Sequence, residues 1–283
     1  MEKVSVIMPC YNDGAYIMEA VESVRNQSYP NIELIIIDDG SDDEETLRAL
    51  SVLEGQGIKL LHTDHVRPAA ARNAGIEVAN GVYIMPVDSD DRIEYDYIER
   101  AVAAMEKDPR LGVVYCHADL FGEKNGKWDL PDYSLDTMLL DNVVFVTALF
   151  RKDDWATVGG FRTNMIHGME DYDFWLSIIE LGKEICQLPE TLFHYRIKPV
   201  SRTTRFKEDV EVVKEVYRDI YFQHPTLYNR FKEEYAIILR NALIEQIFLN
   251  RAYQKSLGLF QKIDGLPILK RIVKKIIMKR GAE

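Results

Sequence analysis

Between residues 3 and 87 an apolar run four times gives way to a turn and then to residues at helical spacing. Residues 3–8 form the first run, closed by Pro9 and the turn-forming Cys10-Tyr11-Asn12-Asp13-Gly14, after which Ile17, Ala20, Val21 and Val24 recur on one helical face. Residues 32–37, 58–62 and 82–87 repeat the theme. The second run is apolar almost throughout, as in a strand covered on both faces. Strands alternating with helices build a parallel, doubly wound sheet, which takes its ligands beyond the carboxyl ends of the strands. Tyr11, Asp38, Asp39, Arg72, Asp88 and Asp90 all stand just past a strand end or in the helix that follows, and so share one rim.

The fourth run carries the densest signal, because Ile84-Met85-Pro86-Val87 empties into Asp88-Ser89-Asp90-Asp91. Crowding that many carboxylates is costly unless a cation or a solvated turn compensates. At a strand end, Asp88-x-Asp90 lets two carboxylates converge on one point, and hard divalent cations such as Mg²⁺ or Mn²⁺ take oxygen ligands of this kind while bridging substrate phosphates. A turn capping the next helix would account for an isolated Asp-x-Asp. The company of the other rim residues favours the functional reading. Asp42, Asp43, Glu44 and Glu45 have a structural reading instead, since Ser41 with Glu44 three residues on reads as a capping box.

Farther along, residues 95–105 have a helix pattern, 111–116 read as a strand, 121–136 as a polar hairpin or loop, and 143–150 as a strand. Gly159-Gly160 precedes a loop over residues 162–168, placed to meet a second substrate. Glu170-Asp171 opens a helix reaching about Leu181, and an acidic first turn explains that pair as well as chemistry does. Residues 185–196 return as a strand, and the chain is helical from Phe206 onward.

A net charge of −11 argues against nucleic acid as the main partner. The exception to that acidity is the tail, where residues 262–283 hold seven basic side chains against Asp264 and Glu283. Over residues 266–278 apolar and basic positions separate onto two sides of a helix, which suits an anionic lipid surface or a helix docked on its own domain equally well. Three scattered cysteines, Cys10, Cys116 and Cys186, suggest neither a disulfide framework nor a zinc site. No signal segment opens the chain and no apolar run nears the ~20 residues that span a bilayer. The expectation is a cytoplasmic protein, or one peripheral on the inner face of the cell membrane.

Five segments in order, Val4-Ser5-Val6-Ile7-Met8-Pro9-Cys10-Tyr11-Asn12, Asp38-Asp39-Gly40-Ser41, Ala71-Arg72-Asn73, Asp88-Ser89-Asp90-Asp91 and Gly168-Met169-Glu170-Asp171-Tyr172-Asp173-Phe174-Trp175, resemble the motifs of the family 2 inverting glycosyltransferases of GT-A fold. The resemblance covers about residues 3–200. It implies an α/β fold with a Rossmann-like, mixed but mainly parallel sheet flanked by helices. The glycosyltransferase domain would be residues 1–204, with a nucleotide-sugar half (1–107) and an acceptor half (108–204), followed by a helical extension over 205–283. It assigns Pro9, Tyr11, Asp38, Asp39, Arg72 and Asp88 to the nucleotide, with Tyr11 stacking on the base and Asp39 accepting from uracil. Asp90, helped by Asp88, would hold a divalent metal, Mn²⁺ or Mg²⁺, and His194 is a further candidate for the metal or diphosphate. Asp171 matches the catalytic base that deprotonates the acceptor hydroxyl, and Glu170 beside it would position the acceptor or orient Asp171. The implied partners are a nucleotide-sugar donor, UDP-linked by preference, and a glycan or lipid-linked acceptor in surface polysaccharide synthesis.

Two departures stand out. Cys10 occupies a position where Thr or Ser is usual, and Val66-Arg67 replace the usual glycines before Ala-Arg-Asn. Two rival readings are a catalytically idle sugar-nucleotide or glycan binder, and a phosphatase of the haloacid dehalogenase type. The second needs Asp-x-Asp-x-Thr, and Arg92 stands at its last position.

Overall fold

The computed structural model describes residues 1–199 and 209–263. The four expected strand-helix units are β1 (Val4–Cys10), α1 (Gly14–Arg25), β2 (Ile32–Asp38), α2 (Glu44–Gly55), β3 (Lys59–His62), α3 (Arg67–Glu77) and β4 (Tyr83–Pro86), followed by the two-residue β5 (Arg92–Ile93) and α4 (Tyr97–Lys107). The strands β3-β2-β1-β4 lie side by side in parallel. Their register pairs Cys10 with Asp38 and Asp38 with His62, and so brings the carboxyl ends of β1, β2 and β3 level on one rim.

The sheet continues through β6 (Leu111–Gly122), β7 (Gly126–Lys127), β8 (Leu149–Arg151) and β9 (Glu184–Ile197), in the order β4-β8-β6-β9-β5 with β7 as a hairpin on β6. Because β8 runs antiparallel to both β4 and β6 while β9 runs parallel to β6, the carboxyl end of β9 reaches the same rim as that of β4. The sheet is thus mixed and mainly parallel, as expected. The intervening helices are α5 (Leu135–Leu140), α6 (Lys152–Val158) and α7 (Glu170–Glu180). From Tyr172 to Ile179 every residue of α7 is buried, and its one charged side chain there, Asp173, is paired with Arg162 and His224.

Two local expectations are corrected. The cap of α2 is Asp43, whose extended backbone lets its carboxylate accept from the Thr46 N–H at 2.8 Å. Ser41 instead accepts from the Asn12 N–H and ties the first two loops together. Of residues 143–150 only the last two join the strand β8. The Val144 carbonyl accepts from Trp175 Nε1 at 2.9 Å and that of Thr147 from the Tyr97 hydroxyl at 2.8 Å, so side chains satisfy groups that a ladder would have paired.

By its contacts the chain divides into two compact units, Met1–Arg230 and Phe231–Glu283; the expected boundary at residue 204 lies outside the described residues. The helices α8 (Val210–Gln223) and α9 (Pro225–Arg230) belong to the first unit because His224 is fully buried against α7. Its Nε2 lies 3.1 Å from Asp173 Oδ1 and its Nδ1 3.2 Å from Glu180 Oε2. The second unit is described as one helix, α10 (Lys232–Ile263). The amphipathic segment 266–278 lies outside the described residues. Among those described, no helix is long and apolar enough to cross a membrane.

Gly75 sets how closely α3 lies on the sheet, since a Cβ there would come within 2.6 Å of Ile37 Cδ1 and 2.9 Å of Ile7 Cγ2, both buried. Overpacking of this kind costs about 1–3 kcal/mol. Gly75→Ala is expected to lower the urea midpoint accordingly, and an unchanged midpoint would mean that the helix is not held at that distance.

Candidate active site

Pro9, Tyr11, Asp39, Arg72, Asp88 and Asp90 all line one cleft of about 700 Å³ at the rim of the sheet. At its outer end the exposed ring of Tyr11 meets His65, with ring centroids 4.2 Å apart. Cys10 also lines the cleft, but burial pushes its thiol up to about 12, which leaves it a small apolar wall residue.

Asp39 holds the loop before α3. It accepts from Thr63 Oγ1 at 2.7 Å, from the Val66 N–H at 2.7 Å and from the Arg67 N–H at 2.8 Å. That loop takes left-handed backbone at His65 (φ 52°) and Arg67 (φ 76°), the conformation glycine would adopt without strain. The carboxylate's three charge-assisted bonds stabilise the turn in the absence of glycine. Asp38, also assigned to the nucleotide, does not line the cleft. It is buried, accepts from the Ser41 N–H at 3.0 Å and sits 3.1 Å from His62 Nδ1. Adjacent residues at the end of an extended strand point to opposite sides, so Asp38 and Asp39 divide between structure and cleft.

The acidic cluster is compensated by side chains. Arg72, 2% exposed, donates from Nη2 to Asp88 Oδ1 at 2.7 Å and from Nη1 to Glu170 Oε1 at 2.9 Å. Lys198 Nζ lies 2.7 Å from Asp90 Oδ2 and 2.8 Å from Asp13 Oδ1, and Ser89 donates to the other oxygen of Asp13. Burial raises the Asp90 carboxyl, with Asp88 and Asp13 adding to the rise and Lys198 opposing it. Asp91, which accepts from the Arg196 N–H at 2.7 Å, is driven well above the usual carboxylate range by burial and then by Asp90 and Asp88.

His194 is not in this cluster. Its Nδ1 lies 2.5 Å from Asp119 Oδ1 and its Nε2 2.7 Å from Glu94 Oε1, both outside the cleft. The strand-end rule applied to β9 points to Lys198, just past Ile197, whereas His194 is still inside the strand. Asp13 was legible in the sequence only as turn chemistry.

A second cavity adjoins the first, with Arg72 and Asp88 lining both. Asp171 and Glu170 line this second cavity, together with Trp128, Phe145 and Tyr217. Asp171 stands in the first turn of α7, where Met169 precedes it in left-handed backbone (φ 68°). Glu170 is buried beneath Arg72, so it fixes the guanidinium that both cavities share. Asn73, next to Arg72, accepts from Trp155 Nε1 and the Phe161 N–H and donates to the Phe161 carbonyl, locking α3 to the chain that leads to α7.

A divalent ion would have to be held by Asp88 and Asp90. One oxygen of each already carries a side-chain cation, and among the described residues no group of three or more His, Cys, Asp and Glu side chains is arranged to hold a metal. The donor set among the described residues does not fit a resident metal ion.

The raised Asp91 carboxyl sets a pH signature. A folded pKa above the unfolded value contributes stability that is complete below the unfolded pKa and is lost as pH rises through the folded one. Asp91→Asn keeps an acceptor for the Arg196 N–H but removes the charge, so it is expected to melt higher than wild type at pH 7, by at least about 2 °C, the scale of 1 kcal/mol in a domain of this size. The gap should close near pH 4; a variant that melts lower at pH 7 would show that the buried charge is stabilising.

The profile of Glycosyl transferase family 2 matches residues 5–167. Among relatives, the chondroitin synthase of Pasteurella multocida (strain Pm70) is 31% identical over 187 residues, which is 64% of this chain and 19% of that protein. The chain thus spans about a fifth of that synthase's length. The uncharacterised glycosyltransferase YibD of Escherichia coli (strain K12) is 25% identical over 299 residues, covering 89% of this chain and 86% of YibD. In fold, the chain is similar to residues 1–349 of S. aureus TarS in complex with UDP-GlcNAc (TM-score 0.66, 20% identity, 84% of this chain and 71% of that one). It is also similar to the mannosyltransferase PcManGT of Pyrobaculum calidifontis in complex with GDP-Man and Mn²⁺ (TM-score 0.58, 17% identity, 95% and 84%). These likenesses carry the expected GT-A fold. With its profile matched over more than half of its length, the chain belongs to glycosyl transferase family 2.

Proposed function

We propose that this protein transfers a sugar from a nucleotide-sugar donor to an acceptor hydroxyl with inversion, the donor binding in the larger cleft and the acceptor in the cavity that carries Asp171. The observation that supports this reading is the meeting of the two cavities at Arg72 and Asp88. A donor lying along the first would have its diphosphate near Arg72 and its base near Tyr11 and Asp39. The anomeric carbon would then stand where an acceptor hydroxyl from the second cavity can reach its opposite face.

Asp171 is the base in this reading. It would take the hydroxyl proton as the oxygen attacks, while the bond to the departing diphosphate breaks. The diphosphate leaves with growing negative charge, and preorganised cationic donors along the cleft wall lower the cost of that charge. Glu170 would act through Arg72, holding the guanidinium in place rather than touching the acceptor. A uridine donor is favoured, since TarS was captured with UDP-GlcNAc; PcManGT, captured with GDP-Man, keeps guanosine in view. The acceptor is proposed to be a growing glycan or a lipid-linked sugar in cell-surface polysaccharide synthesis, in keeping with synthases among the relatives. Trp128 and Tyr217 give the second cavity the aromatic surface that sugar rings pack against.

Family membership sets aside the phosphatase reading. The idle binder is separated by a transfer assay with UDP-sugars and GDP-sugars and a panel of acceptors. Asp171→Asn is expected to lower transfer by about 10²–10⁴-fold while leaving donor affinity within about threefold, the signature of a lost general base. Transfer at the wild-type rate in that variant would exclude Asp171 as the base.

A further inference from the structure

Of the two carboxylates that a metal would need, Asp90 is held by an amine and Asp88 by a guanidinium. The side chain of Lys198 is only 24% exposed, and its Nζ sits between Asp90 Oδ2 at 2.7 Å and Asp13 Oδ1 at 2.8 Å, with the Tyr16 ring centroid 5.6 Å away. Its position is built by the residues before it. The Arg196 N–H donates to Asp91 Oδ1 and Arg196 Nε to the Asp90 carbonyl, each at 2.7 Å, while the guanidinium pairs with Glu19 and lies 4.2 Å from the Phe121 ring centroid. Two residues on, Lys198 lines the nucleotide cleft. Arg72 holds Asp88 from the other side, so the two acids expected to bind a metal are flanked by two fixed side-chain cations.

An ammonium has three donors and no acceptor. Two of them face Asp13 and Asp90 here, and among the described residues no third acceptor takes the last, which can meet an oxyanion entering the cleft. A divalent ion binding Asp90 would have to share that carboxylate with a positive group already in contact with it, at close range and partly shielded from water.

We infer that Lys198, anchored by Asp13 and Asp90, is the resident cation for the donor's diphosphate, and that the nucleotide binds without a divalent metal. The inference rests on the nucleotide reading of the cleft. It makes Asp13 and Asp90 positioning residues that aim an amine, and it gives the acid cluster a partner carried by the chain itself. It also predicts which single change would convert the site, because a neutral imidazole in place of the ammonium removes the competing charge and supplies a metal ligand.

Calorimetric titration of UDP and of GDP into the full chain, in EDTA and then with Mn²⁺, tests this. The nucleotide that binds is expected to do so in EDTA, with an affinity that Mn²⁺ changes by less than about threefold. Lys198→Met should weaken binding in EDTA by about tenfold or more, Lys198→Arg should retain most of it, and Lys198→His should bind at least about tenfold more tightly with Mn²⁺ than without. Wild-type binding that requires Mn²⁺ would overturn the inference and leave the nucleotide reading standing, and this comparison needs no variant to fold. Wild-type affinity in Lys198→Met in EDTA would also overturn it. Failure of both nucleotides to bind in either condition would overturn the nucleotide reading and the inference together.

Discussion

A guanidinium cannot be buried alone. Arg72 is enclosed almost completely, and the interior accepts it because Asp88 meets it from the end of β4 and Glu170 from the start of α7, a residue 98 positions away along the chain. Removing one partner of a buried ion pair leaves an uncompensated charge, a loss of about 3–5 kcal/mol. The requirement for both carboxylates therefore fixes where the first turn of α7 sits relative to the rim of the parallel strands. Asn73 adds a second tie from the same helix to the segment before α7. Two halves of the domain with little else in common along the sequence are held in register by neighbouring residues of α3.

That junction is what makes the two cavities one site. In the proposed chemistry, the group that steadies the leaving diphosphate and the acid that takes the acceptor proton keep a fixed separation through turnover. A salt-bridged arginine common to both cavities provides such a fixed element, and close packing of α3 on β1 and β2 at Gly75 keeps that arginine in place. The loop from Thr63 to Arg67 is organised on the same plan, with left-handed backbone stabilised by a buried carboxylate where relatives are expected to use glycine.

Much of this was legible before any coordinates. Continuous apolar runs and helical spacing located the parallel strands and their helices, and the strand-end rule picked out Tyr11, Asp39, Arg72, Asp88 and Asp90, all of which line the cleft. The misses share a cause, which is that a one-dimensional pattern does not say which of several polar neighbours faces the ligand. Asp38 and Asp39 are adjacent and identical in kind, yet only the register of β2 between β1 and β3 turns one into the cleft. His194 looked more like a metal ligand than Lys198 by residue type alone, and only the direction of β9 distinguishes them. Asp13 and Glu170 took their roles from partners distant in sequence, Lys198 and Arg72. The limits of β8 depended on Trp175 and Tyr97 claiming backbone carbonyls, which no local propensity records.

Acids remote in sequence share one cleft with the cations that hold them. A crystal structure of the full chain soaked with UDP would test that most directly. The expected density places the base against Tyr11 and Asp39, the diphosphate within hydrogen-bonding reach of Lys198, and Asp171 facing the vacant sugar position across Arg72. A nucleotide bound with its diphosphate away from Lys198 and Arg72, or on a face of the domain that Asp171 does not share, would contradict it.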